Sequence, residues 1–167
     1  MTVVSSVEVR AADPGQYTAI GDLCVRAYIA GGHLHAGDPY EATLRDVAGR
    51  DSDGSVLVAM RGSRLVGTAT ICDPGSGCSE ISQPGESEFR FLAVEPDAWG
   101  TGVGEALVEV LHARARAQGS AAMAICVMSA NAAGHRFYAR LGYRRVPERD
   151  WSPTPAVSLQ AYVLPLQ

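Results

Sequence analysis

Three glycines at alternate positions, Gly100, Gly102 and Gly104, follow Val94-Glu95-Pro96-Asp97-Ala98-Trp99 and lead into a segment with helical periodicity. A strand end that turns through glycines into a helix points backbone N–H groups and the positive helix terminus at an anion, and glycine lets a diphosphate approach closely. A phosphate-bearing cofactor is the natural occupant. The dinucleotide fingerprint GxGxxG is not met, because Glu105 stands at its last glycine, and the chain has no lysine for a P-loop. Alone, the turn could equally be a flexible connection. On the strand before it, Glu86, Glu88 and Arg90 share one face. Desolvation beside an apolar cleft would lift Glu88 toward the range of a general base, whereas an ion pair with Arg90, or a solvated edge position, would leave it structural. Glu86 is the reserve candidate. His33 and His35 lack partners at metal-ligand spacing and belong at most to a substrate rim, and His112 and His135 read as solvent-facing helix residues.

The elements that must position these groups follow from periodicity. A strand over 7–10 precedes a helix from Asp13-Pro14 that carries Ile20, Leu23, Cys24, Ala27 and Tyr28 on one face, and a second helix is expected from Asp38-Pro39 to about Gly49. Strands over 56–60 and 65–71 flank Arg61-Gly62-Ser63-Arg64 as a hairpin, and a Gly/Pro/Ser-rich loop over 73–85 leads to a strand over 88–94. The strongest helix runs over 102–118, with Val103, Leu107, Val110 and Leu111 on one face and Gly119 as its C-terminal stop. The apolar run 121–128 reads as a central buried strand, followed by a short helix over 132–141 ending at Gly142, a strand over 143–146, a Pro-rich loop and a strand over 157–164. The order β-α-α-β-β-β-α-β-α-β-β is a mixed sheet covered by helices.

With 167 residues, 47% of them apolar, the chain is sized for one domain over 1–167. A net charge of −4 and no basic run argue against nucleic acid or an anionic membrane as partner. All basic residues are arginine, which also removes Schiff-base chemistry. Cys24, Cys72, Cys78 and Cys126 are dispersed, so neither a zinc site nor a disulfide is expected and a reducing cytoplasm fits. No leader is evident at the N-terminus, and no run nears the roughly 18 apolar residues of a membrane span. No metal is implied, and a homodimer is left open.

Downstream, Asn131, Phe137, Tyr138, Leu141, Gly142 and Tyr143 sit on the short helix and its exit. With these residues the chain resembles the GNAT superfamily of N-acetyltransferases, whose coenzyme A loop reads R/Q-x-x-G-x-G/A after a V-x-P strand end and whose later motif reads N-x-x-A-x-x-F/L-Y-x-x-x-G-F/Y. The matching core spans about 88–143. Two departures stand out: Trp99 occupies the usual Arg or Gln position, and Gly134 the usual Ala. Because backbone amides hold the phosphates, the loss of one side chain should weaken cofactor binding rather than abolish it.

The resemblance implies the GNAT fold, an α/β (α+β) architecture with a mixed, mostly antiparallel sheet of about six to seven strands and about four helices, splayed between the fourth and fifth strands. It implies acetyl-CoA as co-substrate, held by Leu92, Ala93 and Val94, by Trp99, Gly100, Thr101, Gly102, Val103 and Gly104, and by Asn131, Phe137 and Tyr138. Tyr138 falls at the position facing the thiolate, and Glu88 at the position of the base in the histone-acetylating branch. A phenol with an ordinary pKa of about 10 can protonate a leaving thiolate while staying neutral. Tyr28, Tyr40 and Trp151, with Glu86 and Glu88, are the candidate substrate walls for a small amine or a protein N-terminus. No Cys or Ser stands where a covalent acyl-enzyme would need it, so direct transfer in a ternary complex is expected. The rivals are a longer acyl donor, decided by the acyl pocket near Leu92 and Phe137, and an acyl-CoA sensor without turnover.

Overall fold

The computed structural model describes residues 6–166; the first five residues, part of the stretch read for a leader, and Gln167 lie outside them. Strand β1 (Glu8–Ala11) is followed by a 3-10 turn at Pro14–Gln16 and helix α1 (Tyr17–Ala30). The expected single second helix is two short ones, α2 (Glu41–Arg45) and α3 (Val47–Ser52). Asp46 breaks them: with φ −78° and ψ 61° it leaves the helical region, and its carboxylate accepts from Gly49 N at 3.0 Å to start α3.

The hairpin comprises β2 (Gly54–Arg61) and β3 (Arg64–Cys72), turning at Gly62 with φ 59°. Then come β4 (Glu86–Val94), α4 (Val103–Ala117), β5 (Ala122–Met128), α5 (Ala132–Arg140), a two-residue β6 (Arg144–Arg145), β7 (Trp151–Thr154) and β8 (Val157–Pro165). The sheet has eight strands in the order β1-β2-β3-β4-β5-β8-β6, with β7 also on β8, and it is antiparallel except for β4 beside β5. Among the described residues there are eight strands and five helices, beside an expectation of about six to seven and about four. The added strand, β7, falls in the Pro-rich stretch expected as loop: it holds Pro153, which a sheet accepts at an edge, and β7 is an edge strand.

Strand alternation distributes two cores over the two sheet faces. Leu57 and Ala59 join Val103, Leu107, Leu111 and Ala115 of α4 on one face. Val56, Val58 and Met60 join Ile20, Leu23, Cys24 and Ala27 of α1, with Leu44 and Val47 of α2 and α3, on the other. The sheet is thereby clamped between α4 and the α1–α3 group, which fixes the edge where β4 and β5 part. The loop after β3 corrects a second expectation: Cys72 and Cys78 are joined by a disulfide, leaving Cys24 and Cys126 free. Among the described residues no helix is long and apolar enough to cross a membrane.

Candidate active site at the splayed strands

Strands β4 and β5 pair only at Glu86–Ala122, Ser87–Met123 and Glu88–Ala124, and then diverge. From Phe89 onward β4 has β3 on one side and an open gap on the other. Which backbone groups face the gap follows from antiparallel alternation. Glu95 N donates to Val66 O, so Ala93, two residues back and paired with Thr68, also directs its backbone groups to β3. Leu92 and Val94 point the other way, into the gap. Of the expected trio Leu92, Ala93 and Val94, only the outer two therefore turn backbone into the gap, and there the Val94 carbonyl is taken by the Trp99 indole.

Upstream the ladder is irregular: Thr68 and Thr70 of β3 face Ala93 and Arg90 of β4, so the segment holds one extra residue. Phe91 absorbs it at φ 58°, in the left-handed region, the only non-glycine with positive φ among the described residues. A phenylalanine in that conformation is strained, and such strain persists only where surrounding packing enforces it. Here the Phe91 ring is 8% exposed, with the Arg50 guanidinium 4.6 Å and the Arg90 guanidinium 4.5 Å from its centroid. Nothing in the sequence marks this bulge.

At the end of β4 the glycine-rich turn takes the expected shape. Gly100 (φ 73°) and Gly102 (φ 92°) are left-handed, and Gly102 is the N-cap of α4. A β-carbon at either would meet nothing within 4 Å, so conformation and an open approach, not crowding, call for glycine there. The amides of the first turn of α4 have no intrahelical acceptor and face outward. Two arginines of the hairpin stiffen the turn: Arg61 donates to Thr101 O and Oγ1 at 3.1 and 2.8 Å, and Arg64 makes a bidentate pair with Asp97 at 2.8 Å. Trp99 stands half exposed, and its indole N–H donates to Val94 O at 2.8 Å, tying the turn to the strand end.

Below the gap lies α5. Asn131 caps it, its Oδ1 accepting from Gly134 N at 2.9 Å. A β-carbon on Gly134 would lie 2.5 Å from Asn131 Nδ2, so alanine there would require the capping amide to shift. A β-carbon at Gly104 would lie 3.3 Å from Phe137, so α4 and α5 meet closely at the turn. Tyr138 is buried against Phe89, Phe137 and Tyr143, with ring centroids 6.1, 5.0 and 5.5 Å away. Burial alone raises its pKa, so the phenol keeps its proton at neutral pH.

The carboxylates depart from expectation. Glu88 is 1% exposed and forms no ion pair with Arg90; its carboxylate instead accepts from the backbone N–H groups of Glu80, Ile81 and Ser82 at 2.8–3.1 Å and from Ser79 Oγ at 3.3 Å. It moors the loop after β3 and offers no approach to a substrate amine, which withdraws it as the base. Glu86 is held by Arg149 at 2.8 and 2.9 Å and accepts from Gln83 N, so the reserve candidate is also engaged. Arg90 pairs with Glu80, Nε to Oε1 2.9 Å.

Near that pair stand Tyr28 and Tyr40, ring centroids 6.5 Å apart, and Trp151 lies exposed on the edge strand β7. Burial, as the largest cause, raises the pKa of both tyrosines. His33 packs edge-on to Tyr28, and burial lowers its pKa. The helix histidines are not solvent-facing: His112 bonds Tyr143 OH at 2.7 Å, and His135 bonds Tyr162 OH at 2.6 Å.

Comparison with known proteins bears on the whole arrangement. The profile of the Acetyltransferase (GNAT) family matches residues 29–143, which include both motifs. The mycothiol acetyltransferase of Cellulomonas flavigena is 30% identical over 161 residues, 91% of this chain and 45% of its own length, so the chain spans less than half of that relative. The ribosomal-protein-S18-alanine N-acetyltransferase of Escherichia coli superposes with a TM-score of 0.71 at 20% identity, over 97% of this chain and 95% of its own. The yncA protein of Salmonella typhimurium, solved with its cofactor acetyl-CoA, gives 0.66 at 24% identity, over 96% and 94%.

Proposed function

The chain belongs to the acetyltransferase (GNAT) family, and from that premise we propose that it is an N-acetyltransferase, moving an acetyl group from acetyl-CoA to a primary amine by direct transfer in a ternary complex. The carrying observation is the free edge of β4, where Leu92 and the Val94 N–H have no strand partner beside a gap that ends on the left-handed glycines and open amides of α4. An extended pantetheine arm fits such an edge as an added strand, and a diphosphate fits the turn. Bound acetyl-CoA would supply a thioester carbonyl and a thiolate leaving group.

The residues then divide the work. Leu92 N–H, set by the bulge at Phe91 and directed into the gap, is placed to stabilise negative charge developing on the carbonyl oxygen. Tyr138, protonated and beside Phe89 at the root of the gap, donates to the departing sulfur. Asn131 and Phe137 line the same side from α5. Direct transfer is supported by the free thiols: burial pushes Cys24 up to about 11 and Cys126 up to about 12, so neither supplies a thiolate nucleophile at neutral pH. The reading assigns the protein to the cytoplasm, where acetyl-CoA is available, although the disulfide removes the cysteine argument for that setting.

Titration calorimetry with acetyl-CoA, beside mass-spectrometric screening of amino acids, polyamines, aminoglycosides and peptide N-termini, tests the reading. Saturable binding and at least one N-acetylated product are expected. Binding with no product across the panel would favour a sensor, and faster turnover of longer thioesters would favour a different acyl group.

A further inference from the structure

The loop over 73–85 is held at two points. The Cys72–Cys78 bond closes its first half onto the end of β3, and Glu88 gathers three successive amides of its second half. Between these ties lies Glu80, whose N–H is used by Glu88 but whose side chain is not. That carboxylate is 13% exposed and turned to Arg90, at 2.9 Å, on the unpaired half of β4. Arg90 is itself fixed, donating to Cys78 O at 3.0 Å and lying over Phe91 at the bulge. A carboxylate held by one guanidinium nitrogen keeps acceptor positions for another cation.

We propose that Glu80 receives the ammonium group of the acceptor and takes its proton, with Arg90 as the positioning residue that aims it, so that the acceptor is a primary amine whose carbon skeleton lies against Tyr28, Tyr40 and Trp151. This rests on the acetyl-transfer reading above. The proton count closes: one ammonium proton passes to a Glu80 oxygen, directly or across a water, and on to solvent. The freed nitrogen lone pair forms the C–N bond as the C–S bond breaks. Tyr138 protonates the sulfur and is restored by the second proton, which the nitrogen sheds on becoming an amide.

The charges around Glu80 are consistent with the task. Burial raises its pKa most, Arg90 of β4 opposes that, and Glu88 of β4 adds to it. Tyr40, before α2, and the Cys126 thiol of β5 also lie within its field. A raised pKa means that the useful, ionised form is lost from the acid side: activity falls as pH drops through that pKa, and both anchoring and proton uptake vanish together.

The test compares wild type, Glu80→Gln and Glu80→Asp, with acetyl-CoA and 2-phenylethylamine as probe. Glu80→Gln should lower kcat/KM for the amine by roughly 100-fold or more, on the scale of general base catalysis, and remove the acid limb of the profile. Glu80→Asp should keep the limb at a reduced rate, and acetyl-CoA affinity should be equal in all three. Wild-type protein that fails to bind acetyl-CoA would overturn the transferase reading itself. Normal acetyl-CoA binding with an unaltered rate and limb in Glu80→Gln would overturn only the role of Glu80. Should the wild type not turn the probe over, the side-chain carboxyl resonance of Glu80, assigned by its loss in Glu80→Gln, is followed during titration with the amine. A shift supports the proposal and its absence overturns it.

Discussion

The two halves of the proposed site are built by different means. The half proposed for the coenzyme is made of backbone: Leu92 and Val94 on one strand edge, Gly100 and Gly102 in left-handed conformation, and the first turn of α4. Its parts lie within a few residues of one another. The acceptor half is made of side chains from residues 28, 40, 80, 90 and 151, brought together by the packing of α1, the loop after β3, and β7. A site that uses main-chain groups constrains its sequence locally, through residues able to take a special conformation, and leaves a motif. One that uses side chains from distant segments constrains only the fold that unites them, so neighbouring positions carry no pattern.

This division can be broken experimentally, and the largest effect is expected at the turn. Gly102→Asp puts a side chain on a φ of 92° and a negative charge where a diphosphate must sit. Acetyl-CoA affinity should fall by roughly 100-fold, equivalent to about 2.8 kcal/mol, with the far-UV spectrum unchanged. Unchanged affinity in calorimetry on the folded variant would mean the coenzyme half is not where it has been put. Next in size, Tyr138→Phe keeps the ring among Phe89, Phe137 and Tyr143 and removes the proton, so kcat should drop by roughly 100-fold, the low end of the range of general acid catalysis. Acetyl-CoA affinity and melting temperature should not move; an unaltered kcat with chemistry limiting would assign Tyr138 to packing alone.

The smallest effect sharpens the comparison most. Glu88→Gln replaces a carboxylate oxygen by an NH2 group facing the amides of Glu80, Ile81 and Ser82, leaving buried donors unmatched at a cost of about 1–3 kcal/mol. The melting temperature should fall and KM for the amine should rise as Glu80 loosens, while acetyl-CoA affinity holds. Equal damage to both substrates would show that the halves are not separable. A direct catalytic role for Glu88 would instead depress kcat with stability unchanged.

How far the sequence carried follows the same division. The glycine turn, the cap at Asn131, the buried β5 run and the face of α4 all follow from local rules, and with the family resemblance they located the parting of β4 from β5. Four features were hidden for identifiable reasons. The bulge falls on Phe91, a residue with no preference for positive φ, so no glycine or asparagine advertised it. Cys72 and Cys78 lack the CxxC spacing, but they stand at a strand end and in a Gly-rich turn six residues on, which was the available hint. Glu88 and Arg90 share a face by alternation, yet the loop folds back between them, giving Glu88 its amides and Arg90 its Glu80 partner. Glu80 itself, in a polar stretch with no periodicity, had no signal at all.

The chain has two tryptophans, and the fold assigns one to each half. Trp99, 49% exposed, is tethered to the strand end beside the glycine turn, and Trp151, 37% exposed, stands on the edge strand β7. Intrinsic emission is thus already resolved by location. On the proposed reading, coenzyme arriving at the turn would perturb one indole, and an amine settling between the tyrosines would perturb the other. With Trp99→Phe, the remaining fluorescence watches the acceptor side alone, so stopped-flow traces on the two proteins would order the arrival of the two substrates without any added dye.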